Sequence, residues 1–440
     1  MENGKQSTFE RLMKRASKVE SHEIKALFMS FCLVFMLMAA YYILRPVRDA
    51  MASDWSDTEV SFLWNINFFV SLFIVALYGI AVAKVRFRVL VPGMYAFFAT
   101  TFVAFYFGVS LLEDRTLIDK TFYVWVSIFS LFHISVFWSF MSDLFNKEQS
   151  GRLFAFIAAG ASAGALIGPL VPTVLAGSIG TESLMLIASV IVALTIPVVL
   201  YLQRLKSKEL HNEDVTADLS AARIGGNPFA GFKMFFSNPY LLGIGLFILL
   251  YTAIGSFAYF EQKNLLVEFD RATRTQILGG VDFIVNCLTF AIGMFATGRI
   301  VTRFGMPLTL ALVPVFVAAG LLILAVAPLL TVLLAFQVGR RAGNYAITRP
   351  AREMLFTAVD RETRFKAKPV IDIAVYRGGD AVSSIAFAGL TDGLGLGLGA
   401  VAAVGAGIAS VWAGLAFYLG RIFERSADVS HPSASVSETA

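Results

Sequence analysis

Twelve apolar stretches of about twenty residues follow one another along the chain. They lie near 26–47, 60–83, 89–111, 120–142, 153–176, 183–202, 239–262, 275–298, 306–327, 330–349, 368–391 and 398–420. A bilayer core takes about 20 residues of helix to cross. Backbone in lipid has to satisfy its own hydrogen bonds, which leaves helices as the natural solution for runs of this length. Composition agrees: of 440 residues, 57% are hydrophobic, 15% are charged and 41 are Phe, with a mean hydropathy of +0.72. A soluble domain carries about 25% charged residues. A soluble enzyme, a disordered chain and a secreted disulfide scaffold are therefore excluded. Cys32 and Cys287 fall inside apolar runs and imply packing, not a disulfide framework. The formal charge of +5 suits basic membrane-flanking loops, and we expect no nucleic-acid partner.

Orientation follows from the short loops. With the N-terminus in the cytoplasm, the inside loops carry Lys84, Arg86, Arg88, Lys147, Arg152, Arg299, Arg303, Arg349, Arg352, Arg361, Arg364, Lys366 and Lys368, whereas three outside loops carry no Lys or Arg. The positive-inside rule then places both termini in the cytoplasm. Residues 8–20 put Phe9, Leu12, Met13, Ala16 and Val19 on one helical face with basic residues between them, the pattern of an interfacial helix. The first 25 residues lack the short apolar core and cleavage site of a signal peptide.

Span 1 begins near 26 and span 7 near 239; Arg152 opens span 5 and Arg364 opens span 11. Offsets of about 213 divide the chain into a cytoplasmic amphipathic segment (1–22), a six-helix bundle (23–203), a polar linker (204–237), a second bundle (238–421) and a disordered tail (422–440). Two six-helix halves joined by a long linker resemble the plan of the major facilitator superfamily. Gly298-Arg299-Ile300-Val301-Thr302-Arg303-Phe304-Gly305 looks like its loop between the second and third helices of a half. The fold class expected is all-α, twelve transmembrane helices in two pseudo-symmetric bundles. That plan leaves the third and sixth helix of each half facing lipid, where an ionisable group costs roughly 2.5–3.5 kcal/mol. Spans 3, 6, 9 and 12 have none in their apolar cores.

Charges concentrate elsewhere. Arg340 and Arg341 lie near the middle of span 10, and Arg377 and Asp380 near the middle of span 11 with Asp372 closer to one end. Asp282 lies in span 8, Arg45, Arg48 and Asp49 close span 1, and Glu261 and Lys263 close span 7. Structural pairing is open to several of these; Arg377 and Asp380 are three apart on one helix and could satisfy each other. Acids are nonetheless too few for three mid-membrane arginines, and guanidinium is well shaped to grip a phosphate or carboxylate bidentately. Arg48, Arg340, Arg341, Arg377, Asn344 and Tyr345 are the substrate-binding candidates. Arg45, Asp49, Glu148, Glu261, Asp282, Asp372 and Asp380 are the gating or coupling candidates. Gly160, Gly164 and Gly168-Pro169 form a small-residue ridge that reads as helix packing with a bend. His133 alone on an apolar helix reads as structural.

Three stretches carry a narrower resemblance. Pro350-Ala351-Arg352-Glu353-Met354-Leu355, Asp360-Arg361-Glu362 and Lys366-Ala367-Lys368-Pro369-Val370-Ile371-Asp372 look like the loop between helices 10 and 11 of the ATP/ADP translocases of intracellular bacteria and plastids. Tyr42-Ile43-Leu44-Arg45-Pro46-Val47-Arg48-Asp49 resembles their helix 1 motif. Phe137-Trp138-Ser139-Phe140, with Glu148-Gln149-Ser150-Gly151-Arg152, resembles the end of helix 4 and the loop after it. Together they span about a tenth of the chain. The resemblance implies nucleotide antiport, with the family's helix 1 lysine falling on Arg48, the acid after helix 4 on Glu148, the helix 11 lysine on Arg377 and the helix 7 acid near Glu261. Two lysines are arginines here, which leaves the anion open.

The expected function is a secondary transporter with alternating access, exchanging nucleotides or a related phosphorylated anion and acting as a monomer in the bilayer. A proton-coupled permease for another organic anion and a non-transporting sensor or assembly factor are the alternatives. No HExxH pair, P-loop or Ser/His/Asp grouping points to an enzyme, and nothing in the sequence calls for a cofactor or metal.

Overall fold

The computed structural model describes residues 19–84, 87–208, 210, 230–359, 363, 367–368 and 370–430. The amphipathic segment at 8–20, nearly all of it, and most of the polar linker lie outside these residues.

Among the described residues, each of the twelve apolar runs is mainly helical. Span 1 is Ile24–Met51, span 2 Asp57–Lys84, span 3 Phe87–Leu111 and span 4 Thr116–Leu144. Span 5 consists of Lys147–Ile167 and Leu170–Ile179, interrupted at Gly168-Pro169 where the proline has no N–H to continue the ladder. Span 6 is Ser183–Lys208, span 7 Pro239–Leu265, span 8 Arg271–Phe295 and span 9 Thr297–Val326. Span 10 runs as Leu330–Gly343 and widens into a π-turn at Asn344–Thr348; a short helix, Arg349–Leu355, follows it in the loop that leads to span 11. Span 11 passes from a π-turn at Val370–Val375 to Tyr376–Ala388 and a second π-turn at Gly389–Gly393. Span 12 is Leu398–Ser430 and runs into the segment read as the tail. Among the described residues nine helices are long and apolar enough to cross a membrane on length and composition alone. Spans 2, 10 and 11 are not among them; π-turns divide spans 10 and 11 into shorter helices.

The ends of the helices follow local chemistry. Asn146 and Gln149 form a capping box at the start of span 5. Asn238 accepts from the amides of Tyr240 and Leu241, with Pro239 in the first turn of span 7. Asp270 accepts from the amides of Ala272 and Thr273 ahead of span 8. The Thr273 hydroxyl and amide hold the Asp270 carboxyl below its usual value.

The chain divides into two compact units. One comprises Met1–Met51, Phe69–Ile224 and Phe269–Phe283; the other comprises Ala52–Phe68, Gly225–Glu268 and Ile284–Ala440. The units follow the order of the chain except at the starts of spans 2 and 8. Within the first unit span 1 packs on spans 4, 5 and 6, and span 3 packs on spans 4 and 6. Within the second unit span 7 packs on spans 10, 11 and 12, and span 9 packs on spans 10 and 12. Every pairing of the first set recurs in the second at the equivalent helices, so the sequence offset is a structural repeat.

Lipid offers no hydrophobic drive for helices to associate, so close backbone approach carries the packing. Gly160, Gly164 and Gly168 face span 1; a Cβ at any of them would come within 3.0 Å of the carbonyl of Phe31, Phe35 or Ala39. In the second unit Trp412 is fully buried against Phe247, with ring centroids 5.4 Å apart.

Candidate functional site

The second unit holds two buried arginines side by side in the sequence, Arg340 and Arg341. Arg340 and Arg341 end the first part of span 10, immediately before its π-turn. π-turns shift the register of the side chains that follow and occur often at functional positions. Arg340 is 7% exposed. Gln337, one turn earlier, accepts from its Nε at 3.1 Å and its Nη2 at 2.7 Å. The Gln337 amide in turn donates to the Ala258 carbonyl at 2.9 Å and to Gln262 Oε1 at 2.8 Å in span 7. A relay of neutral groups therefore fixes the guanidinium while leaving its charge uncompensated; Arg340 forms no ion pair among the described residues.

Aromatic and amide groups surround it. Arg341, Tyr251, Tyr345 and Tyr376 lie within electrostatic reach of Arg340. Asn344 Nδ2 donates to the Tyr251 hydroxyl at 3.0 Å. The Tyr251 ring lies 6.1 Å from Tyr376 and 5.8 Å from Trp412. Gly255 leaves room beside the guanidinium, since a Cβ there would stand 3.8 Å from Arg340 Nη1. Arg377 follows Tyr376 on span 11 and is half-buried, as is Asp380. Although three apart, they form no ion pair: spacing allowed the pairing and the structure does not make it. The arrangement brings cationic heads, aromatic faces and amides together around Arg340.

In the first unit Arg45, Arg48 and Arg271 are each matched by carboxylates. Arg48 donates from Nε and Nη2 to Asp49 Oδ1 at 2.9 and 2.6 Å and from Nη1 to Ser127 Oγ at 3.2 Å, and its guanidinium lies 5.5 Å from the Tyr123 centroid. Arg45 lies 3.7 Å from both Asp49 and Asp282. Arg271 pairs with Asp119 at 2.9 Å. Arg48 is thus held in a network of carboxylates and hydroxyls, unlike Arg340.

The remaining candidates are dispersed. Glu261 is 0% exposed, and neither carboxylate oxygen has a hydrogen-bond partner. Two residues on, Lys263 bonds the Trp55 carbonyl and Asp57 Oδ1, both at 2.7 Å, and Asn264 donates to Asp57 Oδ2. Glu148 is exposed and lies 3.8 Å from Arg152, whose guanidinium grips Glu23 at 3.0 and 3.1 Å. Asp372 lies 3.6 Å from Arg352, which also bonds Glu353 at 2.9 Å; Lys368 bonds Glu353 from the other side. Burial alone would raise the Glu353 carboxyl, but Lys368 and Arg352 together hold it below its ordinary value. His133 is buried, stacked between Tyr41 and Phe129, and serves packing. Gln337, Gln262, Tyr251 and Tyr376 escaped the sequence reading; the three-residue interval from Gln337 to Arg340 was the one available signal.

Repeated helical bundles with charges held inside them are a build that membrane transporters share. The family model of the Major Facilitator Superfamily matches residues 30–348, and the chain belongs to that superfamily. No curated protein matches it. Among solved structures it is similar to a bacterial homolog of the human lysosomal transporter Spinster, inward-facing and unoccupied, at 15% identity with a TM-score of 0.58 over 93% of this chain and 99% of that one. It is also similar to the nucleoside transporter NupG, at 14% identity with a TM-score of 0.63 over 91% of this chain and 99% of that one. These likenesses are of fold.

Proposed function

We propose that the chain is an antiporter of nucleotides or a related phosphorylated anion, working by alternating access of two six-helix halves, with both termini in the cytoplasm of a bacterial inner membrane. The observation that carries the reading is Arg340: a buried guanidinium held by a neutral amide, its charge unmatched, with Arg341 and three tyrosines around it. A phosphate would complete the charge, and tyrosine faces would accept a base. The resemblance to ATP/ADP translocases and the similarity of fold to a nucleoside transporter support that choice of substrate. A positive, empty site is costly in low dielectric, which favours exchange over return of an empty carrier. The test is uptake of labelled ATP into proteoliposomes preloaded with ADP, unlabelled ATP or buffer. Uptake that depends on internal nucleotide and is lost in Arg340→Gln and Arg377→Ala supports the reading; absence of nucleotide uptake under every preload overturns it.

A second reading, a proton-coupled permease for an organic anion, is favoured by Glu261. A carboxyl buried without a donor is far less costly with its proton than as a bare charge. Substrate accumulation driven by an imposed pH gradient and abolished in Glu261→Gln would select it.

A further inference from the structure

Span 9 is two helices. Gly305 breaks it with φ +71°, separating Thr297–Phe304 from the apolar stretch beyond. The break is held by span 12: Glu424 Oε1 accepts the Met306 amide at 2.9 Å, and a Cβ on Gly305 would meet that same oxygen at 2.6 Å. Gly420 packs equally closely on Pro307. The short helix and the end of span 12 are thereby fixed to one another at one rim of the second unit.

Four exposed arginines lie within about two turns of that contact: Arg299 and Arg303 on the short helix, Arg421 and Arg425 on span 12. None of them forms an ion pair among the described residues. Arg303 and Arg421 lie over the rings of Phe304 and Phe417, at 5.9 and 4.7 Å from their centroids. Glu424, the one acid in Thr297–Phe304 and 417–425, is committed to the Met306 amide. The surface that leads to this rim is apolar. Val404, Val411 and Tyr418 are exposed at seven-residue intervals on span 12, and the next step of that stripe is Arg425. On span 9, Leu308, Leu312 and Val315 are exposed beside it. Acyl-chain surface therefore ends in an aromatic and then a cationic band.

We propose that this rim is a binding site for an anionic phospholipid, whose phosphodiester is held by Arg299, Arg303, Arg421 and Arg425 while its chains lie along spans 9 and 12. Charge complementarity and continuity with the apolar stripe select a lipid over a free phosphate, which has no use for the stripe. The Gly305 break, latched by Glu424, sets the arginines in place before a lipid arrives.

The test is native mass spectrometry of the full chain in detergent, titrated with phosphatidylglycerol, phosphatidylcholine or inorganic phosphate. Phosphatidylglycerol should be retained at least tenfold more strongly than phosphatidylcholine, and inorganic phosphate should not displace it. Each arginine removed should weaken retention about fivefold, so Arg303→Gln/Arg425→Gln loses most of the preference and Arg303→Lys/Arg425→Lys keeps it. Equal retention of the two lipids by the wild type, which needs no variant, overturns the proposal. So does full retention in the glutamine pair, and displacement by inorganic phosphate would assign the rim to a free anion instead.

Discussion

Gln337 and Arg340, one turn apart on span 10, share two hydrogen bonds in which the guanidinium donates twice to a single amide oxygen. The pairing orients the arginine without neutralising it. A carboxylate at the same place would orient it equally well and remove the charge a substrate anion needs. The Nε2 of the same Gln337 amide donates to the Ala258 carbonyl and Gln262 Oε1 of span 7, so a movement of span 7 is felt at Arg340.

Replacement of Gln337 by Glu should therefore impair transport more than replacement by Ala. Gln337→Ala frees Arg340 to wander, and loss of a hydrogen bond to a charged group, about 1.5–3 kcal/mol, corresponds to a ten- to hundredfold rise in KM. Gln337→Glu should abolish anion binding while leaving the helix intact. Substrate-dependent thermal stabilisation of purified protein separates the two: reduced in the first, absent in the second.

Glu261 is fully enclosed with no donor on either oxygen, so its charged form gains nothing from the fold. Glu261→Gln should melt at the same temperature as the wild type or a few degrees higher. A drop of several degrees would mean that the carboxylate is paired in the native protein. The same variant should retain nucleotide exchange if antiport is the mechanism and lose gradient-driven accumulation if proton coupling is.

The architecture was legible in the sequence because its signals are long. Twelve runs of about twenty residues and an offset of 213 need no knowledge of contacts, and the helix pairs of the first unit recur in the second accordingly. Arg340, Arg341 and Arg377 were legible as charges among apolar residues. Their partners were not. Gln337 is a neutral amide that nothing marks as a positioning residue. Arg48 bonds Asp49, its neighbour in the chain, although adjacent residues on a helix point to different faces; the length of the arginine side chain makes the contact. Arg377 and Asp380 have the right spacing and do not pair. Spacing states which contacts a helix permits, and packing by other helices decides which are made.

The glycine ridge of span 5 gives a prediction about stability alone. Gly164→Ala places a methyl against the Phe35 carbonyl of span 1, a backbone group that cannot rotate away. Overpacking of this kind costs about 1–3 kcal/mol, and the melting temperature in detergent should fall by several degrees. Gly151→Ala, where a Cβ would meet nothing within 4 Å, should leave it unchanged. Equal behaviour of the two variants would remove the ridge as a packing device.

Glu353 provides a pH dependence of defined sign. Lys368 and Arg352 hold its carboxyl below the ordinary glutamate value despite partial burial. A carboxyl whose value is lowered on folding contributes stability that is complete above its unfolded value of about 4.3 and is lost as pH falls through the lower folded value. The melting temperatures of wild type and Glu353→Gln should therefore differ by a constant amount from pH 8 down to about pH 5. Below that the gap should narrow as the wild-type carboxyl takes up its proton. Glu353 is 38% exposed at its side chain, so solvent screening keeps the gap small, and 1 M salt should shrink it further. A gap that instead widened on acidification would mean that the carboxyl is held above its ordinary value, with burial outweighing its two cationic neighbours.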